Sequence, residues 1–360
     1  PTEAVKVLSL SPETAETIYW LSFLQNKKVN CADINPSFVF PFRSESGFVL
    51  EQLLARQSDW LLKYHLSLIY KDRNRVEECN KLLMSCGDQP RFAAFYAYRA
   101  EILKGKNDSL CETDLKMAIS LDNQWRYQML LANYYNNHLQ HEKALSITET
   151  AYHSNPGNYI MGSLHAKTLL LNGKYKEADV LLSKISIIPA EGNTEGHELY
   201  RETKLLQAAE LIQKRNYTAA LKFIRQARLW PENLGEGKPY EEDIDVRLED
   251  WMNYLCYQQL QKTAEAEDML KRIIKFEPLI ENTVKNFFPA NALVTGWAFD
   301  KLNRRSEAIQ WLNKQINDFP NFNLLLWGKS VFEKDNAFIL PENEKDATVI
   351  ILEKLTSVQM

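Results

Sequence analysis

The 360-residue sequence predicts an all-α fold: an α-solenoid of about seven helical hairpins with terminal capping helices. Three observations predict it. A small residue recurs at Cys79, Cys111, Ala144, Ala178, Ala220, Ala266 and Ala308. A helix breaker follows each unit: Pro90, Asp122-Asn123, Pro156, Pro189, Pro231, Pro278 and Pro320. Glycine and proline are otherwise scarce, at 12 and 13 residues, and mostly punctuate segment ends. Proline ends a helix because it lacks the amide proton and disfavours helical geometry in the residue before it.

The recurring residues have a steric meaning. Small side chains let two helix axes approach to about 8–10 Å. Seven residues beyond the anchors stand Cys86, Ala118, Ala151, Ile185, Ala227, Ile273 and Gln315. Nine before them stand Tyr70, Ile102, Tyr135, Leu169, Leu211, Tyr257 and Phe299, which suit the groove beside each crossing. Twelve before them the residues are mostly small: Ser67, Ala132, Ala166, Ala208 and Gly296, with Tyr254 larger. Arg99 breaks this rule, and Ala100 beside it suggests a first helix offset by one. One hairpin cannot hide its apolar face alone, so such units stack.

Composition bounds the rest. The hydrophobic fraction of 45% and charged fraction of 25% are those of a folded protein. A net charge of −4 gives no polyelectrolyte footprint, so nucleic acid is not an expected partner. No apolar run reaches about 18 residues, so no membrane span is expected. The N-terminus lacks a basic region followed by an apolar stretch, so no secretory signal is read there. Five cysteines form no CxxC pair, and four of them lie inside helical patterns. They read as small buried hydrophobes in a reducing compartment, which points to the cytoplasm. No metal and no cofactor is expected.

In chain order, residues 1–56 form an N-terminal region. Ser11-Pro12-Glu13 opens a helix through about Gln25, with serine as N-cap and proline at the first position. Asn35 to Phe48 is aromatic and irregular, and a helix follows from about Val49. Residues 57–335 hold the array, for which Trp125 to Pro156 is the template. Insertions interrupt it near 187–199, 230–245 and 279–289, and Gly192, Gly196, Gly235 and Gly237 mark loops in the first two. Phe322 to Phe332 and Glu344 to Leu355 read as a last helix pair, and residues 336–360 carry a polar capping helix.

The pattern of small, aromatic and proline positions resembles the tetratricopeptide (TPR) repeat, a helix–turn–helix of about 34 residues. A narrower resemblance covers nearly the whole chain. Ser37 to Glu45, Asn158 to Tyr175, Glu191 to Glu202 and Ala227 to Trp251 are similar to the C-terminal helical region of a family of large bacterial proteins. That family is a domain of unknown function whose members carry a galactose-mutarotase-like β-rich part ahead of the repeats. The resemblance implies that this chain is the repeat portion of a longer protein, with any carbohydrate chemistry outside it.

TPR proteins bind with the inner face of each first helix. The resemblance places Phe95, Arg99, Arg126, Met129, Asn133, Asn136, Ser163, Lys167, Trp251, Leu255, Gln258 and Trp297 on that face. The family's clamp for C-terminal carboxylates is broken, because Met129, Leu164, Glu202 and Leu206 stand at its positions. Trp251 and Trp297 could anchor an apolar partner or stack on a sugar; packing against a neighbouring insertion is the competing reading.

The best candidate loop is Pro231 to Asp245, with Asn233, Gly235, Gly237, Lys238 and Tyr240. Its glycines could offer amides to an anion beside Lys238, yet the GxxxxGK[ST] spacing is missing. Glu241, Glu242, Asp243 and Asp245 lack the EF-hand order. The competing structural reading is a loop that packs across the array and caps the next helix, with Asp245 near its start. His138 and His141 flank a turn, the other histidines share no metal spacing, and no nucleophile motif appears.

The expected function is therefore a non-catalytic scaffold. Its partner would be another protein or its own missing N-terminal domain. The alternative is an accessory module that contributes to a carbohydrate-processing site on the absent domain.

Overall fold

The computed structural model describes residues 2–38, 40–189, 195–276, 288–335 and 338–359. Among them every regular element is helical. The hairpins are α4 (Trp60–Asp72) with α5 (Val76–Ser85), α6 (Ala93–Leu103) with α7 (Asp108–Leu121), and α8 (Trp125–Asn137) with α9 (His141–Ser154). Next come α10 (Tyr159–Leu171) with α11 (Tyr175–Leu182), and α12 (Glu195–Gln213) with α13 (Tyr217–Ala227). The last two are α14 (Arg247–Gln259) with α15 (Thr263–Lys275), and α16 (Phe288–Lys301) with α17 (Arg305–Asp318). Ahead of them lie α1 (Thr2–Ser9), α2 (Ala15–Leu24) and α3 (Ser44–Leu54); after them lie α18 (Asn323–Glu333) and α19 (Ala347–Gln359). The helices fall into two compact units, residues 1–131 and 132–360.

The crossing residues are where sterics requires them. All seven anchors are at most 5% exposed, as are the seven positions that follow them. Cys79, Cys111 and Cys256 are buried within helices and Cys86 just past one; all five cysteines are free. Large residues at such positions would force the axes apart.

Each hairpin also turns on a single residue in the left-handed region. These are Asn74, Gly105, Leu139, Gly173, Arg215, Gln261 and Asn303, with φ between 58° and 74°. In six hairpins the residue after the turn donates its N–H to the carbonyl five residues back. Arg75 thus bonds Tyr70, Gln140 bonds Tyr135, Lys174 bonds Leu169, Asn216 bonds Leu211, Lys262 bonds Tyr257 and Arg304 bonds Phe299, at 2.8–2.9 Å. This is the Schellman termination, which satisfies carbonyls that a helix end leaves bare. The aromatic or leucine position nine before each anchor therefore has a backbone role as well as a packing one. The α6–α7 turn is one residue longer, and Lys106 and Asn107 both bond back to Leu103.

In the first unit the N-terminal segment is fastened to the first hairpin. Tyr19 on α2 meets His65 on α4 through a 2.8 Å hydrogen bond between Oη and Nδ1. Burial lowers the His65 pKa to about 4, so the ring is neutral. Gln57 ties down Val29 through both its N–H and its carbonyl, at 2.8 and 3.0 Å. The helix expected from Ser11 instead starts at Ala15. Thr14 is its cap, in a reciprocal box with Thr17, whose side chain holds the Thr14 N–H at 2.8 Å. Ser11 bonds back to Val7 at the end of α1, a helix the sequence did not suggest. Helix α3 starts at Ser44 and not near Val49, because Ser46, Gly47, Val49 and Leu50 are all buried on it.

In the second unit one apolar core runs from α10 to α19. The insertion expected at 187–199 is shorter, since α12 is already helical from Glu195. Most of the insertion at 279–289 lies outside the described residues, and Phe288 and Pro289 belong to α16. The expected terminal pair is not a hairpin. Helix α18 packs on α16 and α17, whereas α19 packs on α12. Nor is α19 a polar cap: Val349, Ile351, Leu352 and Leu355 are at most 2% exposed.

Candidate functional site

The insertion after α13 is a structural brace. The Asn233 amide donates to the carbonyls of Leu182 and Ile185 at 2.9 and 2.8 Å, closing the C-terminus of α11. The Ile187 N–H donates to the Asn233 carbonyl at 2.8 Å. Gly235 has φ 72°, and a Cβ there would stand 2.7 Å from the Ile187 oxygen. Its glycine serves close approach, so the anion-cradle reading fails at this position. Gly196 answers from α12, where a Cβ would lie 2.5 Å from the Leu234 oxygen. Lys238 is engaged by Glu241, Gly237 is exposed, and Tyr240 projects at 78% exposure.

Behind this brace lies an ionic lattice that the sequence did not reveal. Arg201 on α12 forks onto Glu249 on α14 at 2.5 and 2.6 Å and also reaches the Asp245 carbonyl at 3.1 Å. Asp250 holds Arg228 at 2.5 Å and Arg272 at 3.2 Å. Arg247 bonds Asp245 at 2.6 Å and the Thr295 hydroxyl at 3.0 Å. Asp245 also caps the Arg247 N–H at 3.2 Å, near the start of α14. Glu249, Asp250 and Arg247 are at most 2% exposed. Buried charges are tolerated only when paired in this way.

The residues placed on the inner face separate into two groups. Arg99 is 2% exposed and forks onto Asp114 with two 2.7 Å bonds, so it is a core ion pair and not a groove residue. It also donates to the Gly87 carbonyl at 2.7 Å, while Ala100 beside it is buried and its carbonyl accepts the Cys111 thiol at 3.1 Å. Trp251 is fully enclosed and Trp297 is 5% exposed. Their rings lie 5.7 Å apart, packed against each other, and the little of Trp297 that is accessible borders a cavity of about 110 Å³. Phe95, Ser163 and Leu255 are likewise buried. Arg126 and Met129 in the first unit, and Asn133, Asn136, Lys167 and Gln258 in the second, are exposed or half-buried. Asn136 bonds the Thr168 hydroxyl at 3.2 Å.

Glu202, at a clamp position, is half-buried and shares a cavity of about 140 Å³ with Lys167, Leu170, Leu171, Glu195, Glu198, Leu199, Asp346 and Ala347. Burial and the neighbouring Asp346 carboxylate raise the Glu202 pKa to about 8; burial likewise raises that of Asp346. Eleven residues further along each helix, the Gln213 amide donates to the Ser357 hydroxyl at 3.0 Å. Helix α19 thus runs alongside α12 in the same direction. Lys354 lies 5.8 Å from the Tyr175 ring.

Among the described residues no three His, Cys, Asp or Glu side chains are grouped to hold a metal ion, and no helix is long and apolar enough to cross a membrane. No family model and no curated protein matches the chain. Solved structures do resemble it. The C-terminal part of a TPR repeat-containing protein from Cytophaga hutchinsonii is similar over 69% of this chain and 93% of its own, at 14% identity and TM-score 0.47. Naa15/Naa10 bound to HypK-THB is similar over 88% of this chain and 56% of its own, at 12% identity and TM-score 0.44. Yeast Tom70 is similar over 99% and 69%, at 15% identity and TM-score 0.36. The hairpin pairing, the crossing residues and the repeated turn make this chain a TPR-like all-α helical-repeat protein.

Proposed function

We propose that the chain is a non-catalytic helical-repeat scaffold that makes protein–protein or intramolecular domain contacts, as the C-terminal part of a larger bacterial protein. The carrying observation is the division of labour on the first helices. Their crossing residues are buried, while Arg126, Met129, Asn133, Lys167 and Gln258 stay accessible. Arg99, Trp251 and Trp297 are instead packed inside, which favours this reading over a wall of Trp251 and Trp297 for a carbohydrate site.

The partner that the family resemblance supports is a β-rich, mutarotase-like domain of the same protein. Titrating that domain, expressed separately, into this chain by calorimetry tests the reading. Saturable binding, weakened at least fivefold by Asn133→Ala with Lys167→Ala at unchanged helicity, supports it. No binding, together with glycoside turnover by the chain that survives repurification, would overturn it.

A further inference from the structure

We infer that the cavity where the α13–α14 insertion meets the end of α15 binds a small organic anion, a charged head group carried on an apolar body. This goes beyond the scaffold reading and does not depend on it.

The cavity has a volume of about 380 Å³. Sites for small molecules span roughly 300–1,000 Å³ and combine apolar walls with a few fixed polar groups. Both kinds of group are present. Ile244, Val246 and Phe276 supply the wall, and Arg247, Arg272 and Lys275 supply cations.

The first observation is a surplus of positive charge. Two acids also line the cavity, and both are already engaged. Glu241 is held by Lys238, and Asp250 is shared between Arg228 and Arg272. Arg247 is balanced by Asp245. The lining cations and the partners of the lining acids are therefore Arg228, Lys238, Arg247, Arg272 and Lys275, against Glu241, Asp245 and Asp250. Lys275 is exposed and pairs with no acid among the described residues. Arg272 and Lys275 stand three residues apart on α15, so they share one face of that helix.

The second is preorganisation. Arg247 is 2% exposed, lies over the Phe276 ring at 5.0 Å and is pinned by Asp245 and by the Thr295 hydroxyl at 3.0 Å. A charge fixed beside an apolar wall loses no side-chain freedom when a ligand arrives, and it acts through a medium less polar than water. The third is the wall itself. Ile244, Val246 and Phe276 are each half-buried, so each keeps an accessible apolar surface. A bare inorganic anion leaves that surface wet, whereas an apolar body covers it.

A competing account gives Arg272 and Lys275 a different role, as cations in the last turn of α15 that complement its dipole. It predicts no ligand.

The test uses the full chain at pH 7 and ligand-detected saturation-transfer NMR, with dissociation constants from titration. The probes are 4-phenylbutyrate, phenyl phosphate, the neutral 4-phenylbutanamide and inorganic phosphate. At least one of the two aryl anions binds saturably, about tenfold more tightly than the amide or inorganic phosphate. The tighter of the two identifies the head group. Lys275→Gln weakens that binding about threefold, as expected for one exposed charge. Ile244→Trp, which fills the cavity, abolishes it at unchanged helicity, and Lys176→Gln on α11 leaves it unchanged. Failure of both aryl anions to bind would overturn the inference. So would an amide or inorganic phosphate that binds as well, or binding that survives both Lys275→Gln and Ile244→Trp.

Discussion

Arg99 shows what a single residue can cost and repair. Its guanidinium lies at a crossing position where six other hairpins hold a smaller or less polar group, and Asp114 neutralises it with two 2.7 Å bonds. Removing one member of a buried pair strands the other charge. Arg99→Ala is expected to cost about 3–5 kcal/mol in urea unfolding, whereas a double replacement by apolar residues of similar volume costs far less. Leu139 is the opposite case. It is held at φ 58° and is 44% exposed, so its side chain contributes little and its backbone is strained. Leu139→Gly is expected to raise stability by roughly 1 kcal/mol, as a shift in the urea midpoint with unchanged slope. A drop in stability would mean that the turn is not strained by its Cβ.

At the level of helices and loops, legibility followed the range of the cause. Crossing alanines and terminal prolines act through local sterics, and they marked the hairpins in the sequence. The turns were harder to see. Five of the seven left-handed residues are Asn, Leu, Arg, Gln and Asn, so glycine did not flag them; the tertiary packing of each hairpin imposes the conformation. The lattice around Glu249 and Asp250 was also hidden, because acids and arginines alternating on helices read as a solvated face. The destination of α19 was hidden for a different reason. An apolar stripe says that a helix is buried, not that its seat lies more than a hundred residues earlier. Glu202 gives this region a pH signature. Burial and the Asp346 carboxylate raise its pKa to about 8 in the folded chain, against 4.5 in an unfolded one. The folded state therefore binds the proton more tightly, and the stability this group contributes is fully present below pH 4.5 and is lost as pH rises to about 8. Stability in urea unfolding is expected to fall across that window and to fall less in Glu202→Gln; a contribution that grows with pH would contradict the assignment.

For the whole molecule, the physical content is repetition of one contact. Each hairpin closes over a small side chain and turns on one left-handed residue, and within a unit successive hairpins share an apolar core. Arg99, Trp251, Arg247 and Glu249 are spent on holding helices together. The brace between Gly196, Gly235 and Asn233 fits the same economy, since a non-repeating loop seals the end of α11.

The most direct measurement compares two substitutions two residues apart on α11. Ala178 is fully buried at a crossing, and Lys176 is exposed. Ala178→Leu is expected to destabilise the chain by about 1–3 kcal/mol through overpacking, and Lys176→Leu to change it by less than about 0.5 kcal/mol. Equal effects of the two in urea unfolding would contradict the account, because the close approach of helices at the small residues would then not exist.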